Sequence, residues 1–324
     1  MPAPSTPLEA PALSSTRLLS FDPGAMRVAI QDSELEHVQL ESGQFQGRVA
    51  HTVSEGLALD WGSYNLALMA RGQLTRDRIT LGVLLDGCGD WRVYGGSAAN
   101  GDLLVQPEHS ELMIRLPPGA QWLALQVSPE RLEAAGVPLQ RLRERGRWRL
   151  GEATALPRLM AGLSSVLSPE ADASTNGPEQ LAQAAEQALA TLLCELVART
   201  EAFEQERGCS AGERLRVVRR AEAWLAEHPE PMVRIDDLCR AACTSLSRLE
   251  RSFNDVFGVG PRRYLAMRRL ASVRQELLAG AGGESVTEVA TRWGFFHLSR
   301  FAQEYGQLFG ERPSETLRQA RVPA

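Results

Sequence analysis

The sequence contains no lysine; all 35 of its basic side chains are arginine. The bias excludes no function by itself. It means only that every cation is a planar guanidinium fork, a shape that suits phosphate and guanine. Cysteine is scarce too. Cys88, Cys194, Cys209, Cys239 and Cys243 are too few and too scattered for a disulfide framework in a chain of 324 residues. Cys239 and Cys243 stand four apart, on one helical face. No His or Cys pair at ligand spacing lies nearby, so they read as two small packing residues rather than half a metal site. No apolar run approaches the ~18–20 residues of a membrane span. The opening MPAPSTPLEAPALSSTR has neither the basic start nor the apolar stretch of a signal peptide. Its Pro and Ser content predicts a disordered tail over residues 1–30, and the missing export signal predicts a cytoplasmic protein.

Charge is present but unevenly placed. The whole chain carries −5, which alone argues against a nucleic-acid binder. Residues 1–213 hold 17 Arg against 27 acids, a net of −10, whereas residues 214–324 hold 18 Arg against 13 acids, a net of +5. A basic module tethered to an acidic one is the pattern of a DNA-binding domain attached to a sensor domain.

From Gln46 to Val127, runs such as GRVAHTV, YNLALMAR, ITLGVLLD, ELMIRL and WLALQV alternate with Gly and Asp turns. Short strands at regular spacing predict an antiparallel sandwich or small barrel, with helices after it near Ser128 and Ala155, over residues 31–167. A Ser/Pro/Asn/Gly linker from Ser168 then leads into a helix predicted over Pro178 to Arg207. Leu181, Ala184, Ala188, Leu192 and Leu196 form an apolar stripe on it, widened by Ala185, Leu189 and Val197. That stripe either packs onto the strands or forms a subunit interface, so residues 168–212 read as linker plus dimerisation helix and the protein as a homodimer.

Residues 213–324 predict an all-α domain. In Arg234 to Gly260, Ile235, Leu238 and Ala242 share one face of a short helix, with Asp236 and Asp237 in the first turn where acids favour the helix dipole. Ser245 is the N-cap residue of the next helix, in which Leu249, Phe253 and Val256 or Phe257 face inward and Gly258 makes the stop. Its other face presents Leu246, Ser247, Arg248, Glu250, Arg251 and Asn254, as a recognition helix would to a major groove. Pro261 opens a long helix of about 28 Å, close to the ~34 Å repeat of B-DNA. The pattern then recurs. Ser285 to Glu288 is a capping box, Gly294 ends the helix, and a second recognition helix begins near His297. Phe301, Tyr305 and Leu308 or Phe309 point in, while Leu298, Ser299, Ala302 and Gln303 point out.

These residues carry a resemblance. The elements L-x-x-A-x-x-x-S-x-x-x-L-x-R-x-F (Leu238 to Phe253), G-x-x-P-x-x-Y (Gly258 to Tyr264), Arg269–Leu270, V-A-x-x-x-G-F (Val289 to Phe295) and F-G-x-x-P-S (Phe309 to Ser314) stand in the order found in the AraC/XylS family of bacterial regulators. LCRAAC, RLASVRQELL and WGFFHLSRFAQEYGQLFGERPSETL look most similar to the ethanolamine-utilisation-regulator-like branch. The resemblance implies an α+β multidomain protein whose two recognition helices read adjacent major grooves of promoter DNA. Its N-terminal domain would bind a small effector or partner, or set oligomerisation, and RNA polymerase would be a further partner. Carried over by position, the base-facing residues are Ser247, Arg248, Glu250 and Arg251, then Leu298, Ser299 and Gln303 with Arg300 beside them. Departures from the family pattern are Arg234 at a cap position, Gln303 and Gly306 in place of common basic residues, and Glu276 in place of Leu. They predict that the first unit, with Arg248 and Arg251, carries more of the direct readout.

The N-terminal half is less informative. Trp61, Tyr64, Trp91, Tyr94 and Trp122 either pack the sandwich or line an effector pocket. His51 and His109 could suggest a cupin-like metal site, but no H-x-H pair or nearby Glu completes one. A DNA-repair enzyme with a methyl-accepting Cys would need a Cys-rich zinc centre, and nothing assembles a nucleophile with a base and an orienting group. No catalytic residue, cofactor or metal is therefore predicted.

Overall fold

A computed structural model describes residues 13–142, 146–150, 155–167, 178–198, 209–228, 232–280 and 284–321. Strands come first: β1 (Leu13–Leu18), β2 (Glu34–Gln39), β3 (Gly47–Ser54), β4 (Leu57–Tyr64), β5 (Leu68–Gln73), β6 (Ile79–Asp86), β7 (Trp91–Val93), β8 (Gly96–Ala98), β9 (Asp102–Gln106), β10 (Glu111–Leu116), β11 (Ala120–Val127) and β12 (Gly146–Arg149). They form a seven-stranded sheet in the order β1-β3-β4-β11-β6-β9-β12, and a five-stranded sheet in the order β2-β5-β10-β7-β8. The paired strands run antiparallel, and two-residue turns join β3 to β4 and β7 to β8 as hairpins. The sandwich expected from the alternating runs is present.

The larger sheet is covered on both faces, so β4 and β11 are buried almost throughout. Leu59, Trp61, Leu81, Val83, Leu123 and Leu125 pack outward under helices α1 (Pro129–Ala134), α2 (Leu139–Leu142), α3 (Ala155–Leu167) and α4 (Pro178–Ala198). Tyr64, Leu84, Leu104, Trp122 and Ala124 pack inward between the sheets. Gly62 lies opposite Trp122, and a Cβ there would sit 2.4 Å from the indole, so only glycine lets this ring lie flat on the neighbouring strand.

Two expectations need correction. Ala184, Ala185, Ala188, Leu189 and Leu192 of α4 are buried against α3, β3 and β4 of the same chain. The small residues admit close approach to the chain's own sheet, and this stripe is not left over for a subunit interface. Leu181, Val197 and the linker at 168–177 lie outside the described side chains. The boundary at residue 31 is also too late. β1 pairs with β3, and Phe21 and Met26 are buried, so ordered chain begins well inside the stretch predicted to be a tail.

The second half is helical: α5 (Cys209–Glu227), α6 (Ile235–Ala241), α7 (Leu246–Phe257), α8 (Pro261–Ala279), α9 (Val286–Arg292), α10 (Leu298–Phe309) and α11 (Pro313–Ala320). Its core is continuous with the core between the sheets. α8 lies against β2, and α7 against β7, so the helices cover the outer face of the five-stranded sheet. The molecule is thus layered as helices, seven-stranded sheet, five-stranded sheet, helices.

Phe21 fastens this contact. Its ring stacks on Phe309 of α10 with centroids 6.0 Å apart and meets Phe45 edge-on at 5.7 Å. The fully buried Arg274 donates from Nε to the Phe21 carbonyl and lies 4.8 Å over the Phe309 ring. It also pairs with Glu311 at 2.8 Å. Phe21→Ala should lower the unfolding free energy by about 3 kcal/mol in urea titrations, the cost of an aromatic cavity. An unchanged midpoint would mean that the segment does not seal the two halves.

Candidate nucleic-acid interface

The first helix-turn-helix unit is α6 and α7. Cys243 takes a left-handed conformation at φ 50° and turns the chain, and the Thr244 amide donates back to the Cys239 carbonyl at 2.9 Å. Ser245 occupies the N-cap position of α7, but its hydroxyl makes no capping bond, so the expected side-chain cap is not realised. α7 buries Leu249, Phe253, Val256 and Phe257, and its two aromatic rings pack against Tyr264 of α8. That packing forces Ser247, Arg248, Glu250, Arg251 and Asn254 outward, and all are exposed.

The second unit, α9 and α10, repeats the design. The capping box forms as predicted: Ser285 Oγ accepts from the Glu288 amide at 3.3 Å, and the Glu288 carboxylate accepts from the Ser285 amide at 2.7 Å. α10 buries Phe301, Tyr305, Leu308 and Phe309, each 52 positions after its counterpart in α7. Gly258 and Gly310 end the two helices in left-handed conformations, and Pro261 and Pro313 start the helices that follow. Leu298, Ser299, Arg300 and Gln303 are exposed. The same register pairs Ser247 with Ser299, Arg248 with Arg300, Glu250 with Ala302, and Arg251 with Gln303. Glu276, the departure on α8, accepts from Trp293 Nε1 at 2.6 Å and pairs with Arg292, tying the long helix to the second unit.

The exposed donors are not equally free. Arg248 pairs with Glu213 of α5, and Arg300 with Glu304 at 2.7 Å along its own helix. Asn254 turns its amide back to the Glu250 carbonyl at 2.8 Å. Arg251 reaches only the Ser247 carbonyl, at 3.3 Å, and no carboxylate pairs with it among the described residues. Exposed ion pairs of this kind contribute about 0–1 kcal/mol, so phosphate or a base edge can replace them.

The opposite ends of both recognition helices are fixed on the sandwich. The Leu308 carbonyl of α10 accepts from the Gly43 amide at 3.1 Å and from Gln39 Nε2 at 2.6 Å. A Cβ on Gly310 would lie 2.7 Å from the Gln44 backbone nitrogen. At α7, Val256 packs on Gly95 and Arg115 lies over Gly258. The N-terminal halves, which reach base edges in such domains, point away from these contacts.

Between them lies a polar joint. Arg71 of β5 stands opposite Glu36 of β2 in the ladder and pairs with it. Arg71 also pairs with the buried Glu222 of α5, and Glu36 with Arg268 of α8 at 3.2 Å. Tyr264 donates its hydroxyl to Glu222 at 3.2 Å. Burial would raise the Glu36 carboxyl, but Arg71 and Arg268 outweigh it and hold it below the usual range. Burial pushes Glu222 up despite the same two cations. Sequence reasoning missed this joint and helix α5 with it. The apolar stripe of α5, Leu215, Val218, Ala221 and Leu225, is interrupted on its buried side by Glu222.

Three concavities matter. A cavity of about 60 Å³ between the sheets is lined by Ile30, His37, Tyr64, Leu104 and Trp122. It has room for a few water molecules and is well below the ~300 Å³ of a usual effector pocket. A cleft of about 460 Å³ opens beside the joint, lined by Arg27, Glu34, Glu36, Arg71 and Gln275. A third, of about 260 Å³, lies between the helix-turn-helix units, lined by His228, Arg262, Arg268 and Trp293. His51, one of the two histidines weighed for a metal, bonds Asp60 at 2.7 Å inside the sandwich. Among the described residues no group of His, Cys, Asp and Glu could hold a metal ion, and no helix is long and apolar enough to cross a membrane.

Residues 238–319 match the family model described as a helix-turn-helix domain. The chain is 40% identical over 103 residues to the probable thc operon regulatory protein of Rhodococcus erythropolis, covering 32% of this chain and 31% of that protein. It is 36% identical over 103 residues to the XylDLEGF operon transcriptional activator of Pseudomonas putida, covering 32% of each. It thus spans about a third of the length of the curated relatives it matches. Among solved structures, the AraC-like transcriptional activator CuxR aligns with 81% of this chain and 94% of that chain, at 14% identity and a TM-score of 0.41. Residues 238–319 thus form a helix-turn-helix domain, similar in sequence to part of those two operon regulators.

His37 offers a check on the packing behind the joint. It is buried beside the sandwich cavity with Nδ1 unpartnered, and burial pushes its pKa from 6.5 down to about 4 against the pull of Glu36. The unfolded chain therefore takes up the proton first as pH falls. The contribution is complete above pH 6.5 and is lost between 6.5 and about 4. Relative to His37→Gln, the protein should lose roughly 3 kcal/mol of stability across that window. Parallel pH profiles of the two proteins would show that His37 is solvated instead.

Proposed function

We propose that the protein is a sequence-specific DNA-binding regulator of transcription that reads two adjacent major grooves of promoter DNA. The observation that carries this reading is the pair of recognition helices, equivalent residue for residue, with exposed polar faces and with their far ends seated on one sandwich. The operon regulators that match the C-terminal domain support it. Within that family we place the chain nearest the ethanolamine-utilisation-regulator-like branch, on the LCRAAC and WGFFHLSRF runs. It acts in the cytoplasm with RNA polymerase as a partner and has no catalytic role. As a homodimer it would join through a surface other than the α4 stripe. A small polar effector would occupy the cleft beside the joint, where it competes with Glu36 for Arg71. Strand alternation links the two sides, since His37 lines the sandwich cavity while Glu36 faces Arg268.

The test is binding to the promoter DNA flanking its own gene, across a salt series. Binding should be specific and weaken steadily as salt rises, because arginine contacts displace counterions. In footprinting titrations Arg251→Ala should lose at least about fivefold in specific binding, and more than Gln303→Ala, since a bidentate Arg–guanine contact contributes about 1–3 kcal/mol of discrimination. Equal losses, or binding that does not distinguish promoter from random DNA, would refute the assignment.

A further inference from the structure

We infer that the two helix-turn-helix units read chemically different half-sites, and that the second recognises thymine methyl groups through Phe296 and Leu298. The inference rests on the DNA-binding reading above and specifies the sequence class of one half of the site.

The two units differ where they should be alike. Three residues, Cys243 to Ser245, separate the C-cap of α6 from α7; four, Gly294 to His297, separate the C-cap of α9 from α10. The amides of Thr244 and Phe295 make the same bond, five residues back to Cys239 and Ala290, so Phe296 is the additional residue. It is 67% exposed, and Leu298, the first residue of α10, is 38% exposed. Phe295 beside it is buried under the Arg269 guanidinium, so the turn does not lack room for an aromatic ring; Phe296 is turned out of it.

These two apolar side chains stand at the end of the recognition helix that enters a groove. Behind them the outward positions are Ser299, Ala302 and Gln303, whereas α7, whose first residue Leu246 is half-buried where Leu298 is exposed, presents Ser247, Glu250 and Arg251. Arg300, paired with Glu304, matches Arg248, paired with Glu213, so the outward cation that distinguishes the units is Arg251, which Gln303 replaces in the second. The chemistry of the major groove then assigns the partners: Arg pairs with guanine, Gln with adenine, and exposed apolar groups with the methyl of thymine. The first half-site should contain guanine, and the second should be A·T-rich, with thymines under Phe296 and Leu298 and adenine opposite Gln303.

The full-length protein would be used to select sites from a random DNA pool, and thymines of each half-site would then be replaced singly by deoxyuridine, which removes only the methyl. The expected result is a bipartite site with an A·T-rich second half, in which replacement weakens binding about fourfold at each contacted thymine. Phe296→Ser and Leu298→Ser should abolish that penalty while leaving selection of the first half intact. Both residues are exposed, so the variants should fold, which circular dichroism and the melting temperature would check. A guanine-rich second half, or indifference to deoxyuridine, would overturn the inference while leaving the DNA-binding reading in place. So would variants that keep the penalty yet fail to activate transcription, which would assign the patch to RNA polymerase. Failure to enrich any site would overturn both.

Discussion

Two carboxylates and two guanidinium groups meet where β2 and β5 pass under α5 and α8, and the relation between the two halves of the molecule depends on them. Glu36 and Arg71 come from the sandwich, Glu222 and Arg268 from the helical domain. Charges removed from water contribute little net stability even when paired, but removing one partner of a buried pair costs about 3–5 kcal/mol. Such a cluster therefore acts more on geometry than on stability. It tolerates one seating of the helices on the sheet and penalises a slide of a few ångströms. Apolar contact on either side, Phe21 on Phe309 and Val256 on Gly95, supplies the burial that the charges do not.

On the proposed reading, that seating bears directly on DNA recognition. Each recognition helix has its C-terminal end on the sandwich and its N-terminal half in solvent, so the five-stranded sheet is a template that sets their separation. In a domain built from α8 alone, two short units would hang from the ends of one long helix, free to bend relative to each other. Here the sheet braces both. β2 touches both sides, because adjacent residues of this one strand face the sandwich cavity and the joint.

How much of this was legible in the sequence follows from the range of each interaction. The helix-turn-helix units announce themselves through local signals: Gly258 and Gly310 after the helices, Pro261 and Pro313 before the next ones, the Ser285 capping box, and apolar residues at helical spacing. The outward positions follow from the inward ones, so helical spacing alone places Arg248, Arg251, Leu298 and Gln303 on the exposed faces. The strands were visible for the same reason. The joint was not. Glu36, Arg71, Glu222 and Arg268 are far apart in the chain, and each alone looks like an ordinary solvated charge. Glu222 also broke the apolar period that would have marked α5. Phe21 was hidden by the Pro and Ser around it, and the alanine stripe of α4 fits a neighbouring sheet as well as a neighbouring subunit.

The central claim is that sandwich and helical domain are joined as one cooperative body through the charged joint. Native-state hydrogen exchange in increasing denaturant tests it most directly, by comparing the amides of β5 with those of α8. The account predicts that both sets exchange through the same global opening, with equal free energies and equal denaturant dependence. If the α8 amides exchange through a separate opening of much lower free energy while β5 stays protected, the helices are merely tethered to the sandwich and the account is wrong.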